Sequence, residues 1–148
     1  MFLKQLDSAG ALPALETTLK FAAQRQKLLS HNIANLETPD FRPADVDPAH
    51  FQRVLGEAIH DRRLQKSNGT HGRLMLDRTR QIEQTAGGDL VLNPRTATGN
   101  ILFHDRNNRD LERMMQSLAE NAGMFRTATD LMRSRVGLIR DAISERTG

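Results

Sequence analysis

Two apolar stripes at helical spacing lie at opposite ends of this chain, and neither can cover itself. Stepping by threes and fours from Leu12 picks out Leu15, Leu19, Ala22, Gln26, Leu29, Ile33 and Leu36, a heptad seam with one polar member. Pro13 suits the first turn of such a helix, whereas Glu16, Lys20, Arg25 and Lys27 lie off the seam and read as a solvated face. At the other end the same stepping gives Leu111, Met115, Leu118, Ala122, Phe125, Thr129, Met132, Val136, Ile139 and Ile143. A helix from about residue 108 to 145 is expected there, about 55 Å long at 1.5 Å per residue, with Asn107 and Asp110 as a cap. Gly123 and Gly137 each cost up to about 1 kcal/mol inside a helix, so they are expected to mark close approaches to a neighbour. These patterns predict a mainly α fold, with two long terminal amphipathic helices packing as an antiparallel coiled coil. Two helices alone leave each seam half covered, so part of the apolar surface is expected to face other subunits.

The N-terminal seam ends in LLSHNIANLETPDFRPADVD, residues 28 to 47. Proline lacks a backbone N–H and drives the preceding residue to extended geometry, so Thr38-Pro39, Arg42-Pro43 and Asp47-Pro48 cannot continue the helix. Asn32 and Asn35 sit in its last turns, where an amide caps open carbonyls, and Phe41 is placed to pin the departing strand.

Within this stretch Asn32, Ile33, Ala34, Asn35, Thr38 and Pro39 match residue for residue the Asn-Ile-Ala-Asn-x-x-Thr-Pro-Gly-Tyr signature of bacterial flagellar axial proteins. Asp40 replaces the usual Gly and Phe41 the usual Tyr. The C-terminal NNRDLERMMQSLAENAGMF resembles the same region of the proximal-rod members of that family. The match there runs through Asn107, Asn108, Asp110, Leu111, Glu112, Arg113, Met115, Leu118, Ala119, Glu120 and Asn121, with Arg109, Met114 and Phe125 as departures. The two matches cover about the first fifty and the last forty residues. The resemblance implies a non-enzymatic structural subunit, assembling with copies of itself, with other rod proteins and with the junction to the basal-body rings and export gate. It also implies export through the flagellar type III channel to the periplasmic rod. The family's motif residues would be Asn32 to Asn35, Thr38, Pro39 and Phe41. Helix pairing and subunit contact would fall to Leu15, Leu19, Leu29, Ile33, Leu111, Met115, Leu118, Phe125, Met132, Val136, Ile139 and Ile143. The short length sets the chain apart from hook and distal-rod relatives; another short rod protein, FlgC, and a non-flagellar coiled-coil adaptor are the alternatives.

Between the helical ends the pattern weakens, which divides the chain into 1–47, a linker 48–106 and 107–148. Phe51, Val54, Leu55, Ala58 and Ile59 mark a short helix, SNGTHG is turn-rich, and Leu90 to Leu92 is a candidate strand before further turns. Much of this linker is expected to be irregular, partly disordered in isolation. With 38% apolar residues, six Phe and no Trp or Tyr, the 148-residue chain has a thin supply for a core of its own.

Several function classes are excluded. The net charge of +3 lies wholly in residues 50 to 106, where nine Lys or Arg face six acids, but no aromatic is interleaved with Arg62, Arg63 and Lys66 to stack bases. Nucleic acid is therefore not expected as a partner. His31, His50, His60, His71 and His104 lack metal-ligand spacing, and no cysteine joins them, so neither metal nor cofactor is expected. No phosphate loop or nucleophile motif occurs. The apolar start of MFLKQLDSAG is too short for a secretory signal, and no segment approaches the 20 or so apolar residues of a membrane span.

Overall fold

The computed structural model describes residues 11–64, 74–96 and 111–147. It is mainly helical, with helix α1 at Leu12–Ala34, α2 at Pro48–Leu64 and α3 at Leu111–Thr147. Four short strands, β1 (Ala44–Asp45), β2 (Ile82–Gln84), β3 (Leu90–Leu92) and β4 (Arg95–Thr96), form two antiparallel pairs, β1 with β4 and β2 with β3. The sequence placed α1, α2, α3 and β3 where they occur. The expected cap at Asn107 and Asp110, with Asn108 and Arg109, lies outside the described residues, as do the SNGTHG turns, His71 and His104.

α1 ends at Ala34, five residues before Pro39 and sooner than the prolines alone require. The Asn35 side-chain amide donates to His31 O at 2.9 Å, the same carbonyl that takes the backbone N–H of Asn35 at 3.2 Å, so both donors of that residue close the last turn. Thr38 N then bonds Asn35 O at 3.0 Å and Phe41 N bonds Thr38 O at 3.2 Å, two tight turns in succession. Asp40 has φ 59°. Proline second and positive φ third in Thr38-Pro39-Asp40-Phe41 is the arrangement of a type II turn, which glycine fits best at that third place. α2 begins as sharply: Asp47 Oδ1 accepts from Ala49 N at 2.9 Å, and Pro48 takes the first helical position, where no N–H is needed.

The core is supplied mostly by the segment expected to be a linker. Phe21 of α1 stacks on Phe51 of α2, with ring centroids 3.9 Å apart and planes 5° from parallel. Around this pair pack Val46, Val54, Leu55, Ala58, Leu74, Leu76, Ile82 and Leu90, with Met124 of α3 at the margin. Ile82↔Leu92, Glu83↔Val91 and Gln84↔Leu90 set the β2–β3 register, which points Ile82 and Leu90 inward. Their connection closes through Gly88 at φ 91°, the left-handed residue of a type I turn with a bulge. Residues 74 to 96 are thus ordered on α1: Gln24 donates to Leu90 O, and Lys20 to Gly88 O at 3.1 Å. The Glu16 carboxylate, 2.9 Å away, holds the Lys20 ammonium above its ordinary lysine value.

α1 therefore has two working faces. Ala14, Thr17, Phe21, Arg25, Leu28 and Asn32, also stepping by threes and fours, turn to the core and β1, while Ala22 and Gln26 meet α3. Arg25, read from sequence as solvated, is buried. Its Nε and Nη2 hold the two Asp45 oxygens at 3.0 and 2.6 Å. Half the members of this second stripe are polar, so hydrophobic periodicity passes over it.

Candidate assembly interface

Seven residues separate Arg25 from Asn32, which puts both on one side of α1 beside β1. Asn32 is buried; its Nδ2 donates to Ala44 O at 2.8 Å and its Oδ1 accepts from Ala44 N at 3.2 Å. The first asparagine of the motif thus ties the outgoing chain back to the helix, the second caps it, and Thr38-Pro39-Asp40 turns it. Phe41 packs its ring against His31, centroids 5.7 Å apart at 70°. Ile33 and Asn35 are half-buried, and Ala34, Thr38 and Pro39 are exposed.

α3 packs on α1 through a face rotated from the expected seam. Met114, Asn121 and Ala128, seven residues apart, are its buried members, with Leu118 and Met124 half-buried beside them. Asn121 Nδ2 donates to Ala22 O and Gln26 Oε1, each at 2.9 Å, and its Oδ1 is buried with no partner among the described residues. Of the residues expected to pair helices or meet subunits, Leu29 is buried and Leu15, Leu19, Ile33, Leu118, Met132 and Ile139 are half-buried. Leu111, Met115, Phe125, Val136 and Ile143 are exposed, Met115 by 53%. Leu131 and Leu138 are exposed as well, and no residue from Thr129 to Glu145 is buried. Phe125 also borders an apolar groove of about 390 Å³ between α1 and α3, floored by Ala22, Ala23 and Ala122. A Cβ at Gly123 or Gly137 would meet nothing within 4 Å, so neither marks a close approach among the described residues.

Sequence reasoning missed Phe21, Arg25 and the inward role of Asn121. The available signal was phase, since Phe21, Leu28 and Asn32 recur with Arg25 at heptad intervals. Among the described residues no three metal-capable side chains converge, and no helix is long and apolar enough to cross a membrane.

These features define a mainly helical protein whose long C-terminal helix carries uncovered apolar side chains. The flagellar basal body rod protein FlgB of Yersinia ruckeri is 31% identical over 137 residues, covering 90% of this chain and 92% of that protein. FlgB of Yersinia enterocolitica is 31% identical over 125 residues, covering 84% and 85%. No protein-family model matches the chain. The chain belongs to the flagellar basal body rod protein FlgB family.

Proposed function

We propose that this protein is a structural subunit of the proximal rod of the flagellar basal body, needed for motility. It assembles with copies of itself and with other rod proteins and the ring and export-gate junction, after export by the flagellar type III system. In the rod, α1 and α3 pair as an antiparallel coiled coil, and the residual apolar face of α3 meets neighbouring subunits. The observation that carries this reading is the run from Thr129 to Glu145: seventeen residues of helix with no buried member, yet bearing Leu131, Met132, Val136, Leu138, Ile139 and Ile143. A helix so composed gains little from its apolar residues until another surface covers them.

Val136→Asp tests it, because an exposed position leaves the folded chain intact while a charge at a covered one costs several kcal/mol. The variant is expected to be expressed, helical and secreted, but missing from purified basal bodies, with swimming lost. Incorporation at the normal level would overturn the reading.

A further inference from the structure

A shallow depression between the first turn of α2 and strands β2 and β4 gathers guanidinium groups in excess of the acids around them. It encloses about 410 Å³ and is lined by Asp47, His50, Thr79, Arg80, Gln81 and Arg95. A second depression shares Thr79 and Arg80 and adds Arg78. Arg53 joins the group through His50, with Nη2 2.7 Å from His50 Nδ1, while His50 Nε2 lies 3.2 Å from Thr79 Oγ1. A guanidinium only donates, so His50 Nδ1 is the acceptor in its contact with Arg53.

The nearby acids are already engaged. Asp47 caps α2 through Ala49 N, Glu83 pairs with Arg78 at 3.2 Å, and Asp45, opposite Arg95 in the β1–β4 register, is held by Arg25. Arg53, Arg80 and Arg95 make no ion pair among the described residues. Charge distribution points the same way, since the basic excess of the chain falls between residues 50 and 106.

We propose that this face docks a carboxylate-rich segment of another protein. Planar guanidinium forks match carboxylates two bonds at a time. A single-stranded nucleic acid would want a ring to stack its bases and a membrane would want apolar neighbours, and the depression is lined by neither phenylalanine nor any aliphatic side chain.

The test uses the full chain and poly-L-glutamate, titrated at low salt and followed by fluorescence anisotropy. Arg80→Gln with Arg95→Gln is compared with Arg135→Gln with Arg140→Gln, which removes the same charge from the exposed side of α3. The first pair is expected to weaken binding by about tenfold and the second by under about twofold, with helix content unchanged in both. Equal weakening by the two pairs would mean that net charge alone is being read, and would overturn the proposal. So would absence of wild-type binding, or tighter binding of duplex DNA that the first pair abolishes.

Discussion

The side-chain amide of Asn32 bonds both backbone polar groups of Ala44, donating to one and accepting from the other, as a neighbouring strand would. Asn32→Asp keeps the shape and removes the donor, so a carboxylate is set against Ala44 O. Stability is expected to fall by about 2 kcal/mol, with Asn32→Ala costing a similar amount by leaving both groups unmatched. Urea denaturation with an unchanged m-value would show the loss as a lower midpoint.

Asp40 holds a backbone conformation that glycine adopts without strain. Asp40→Gly is expected to stabilise the chain by about 0.5 to 1 kcal/mol, whereas Asp40→Val is expected to destabilise it by at least 1 kcal/mol or so, because a β-branched side chain resists positive φ. Opposite shifts in thermal midpoint are the readout. A common direction would place the strain elsewhere.

The Arg25–Asp45 pair is unequal, with side-chain exposures of 4% and 35%. Asp45→Ala strands a buried guanidinium and is expected to cost about 3 kcal/mol, while Arg25→Met leaves a carboxylate that reaches water and is expected to cost about half as much. Comparing the two single variants by chemical denaturation checks the order.

Asn121 places an amide between α1 and α3 with its oxygen unpartnered. Asn121→Leu is expected to leave the thermal midpoint level or raised, since it removes an unsatisfied group and adds apolar contact. It is also expected to loosen the choice of register between the helices, as loss of a buried asparagine does in coiled coils. Doubled or broadened amide resonances along α1 and α3 would reveal that loss. The absence of cysteine allows an independent check by disulfide trapping of introduced pairs across the two helices.

Sequence by itself determined where the three helices and β3 lie, while β1, β2 and β4 carry too few residues to show a period. Local chemistry suffices for the former: period sets α1 and α3, Asp47-Pro48 starts α2, Asn35 and Thr38-Pro39 end α1 and turn the chain, and β-branched and leucine residues between turn signals set β3. It also showed that the apolar supply of α3 exceeds what one partner helix covers. Only the tertiary structure decided which residues of each stripe are buried, because periodicity fixes relative phase around a helix and not the direction of the partner. α1 receives α2 and the strands on one side and α3 on another, so its second stripe needs Arg25 and Asn32 as much as Phe21. α3 turns Met114, Asn121 and Ala128 inward in place of Leu111, Met115 and Phe125. The middle segment reads as a linker because its core residues beyond α2, Leu74, Leu76, Ile82 and Leu90, are dispersed among polar ones. They become a core only when a stacked pair of phenylalanines thirty positions apart gives them a common surface to bury.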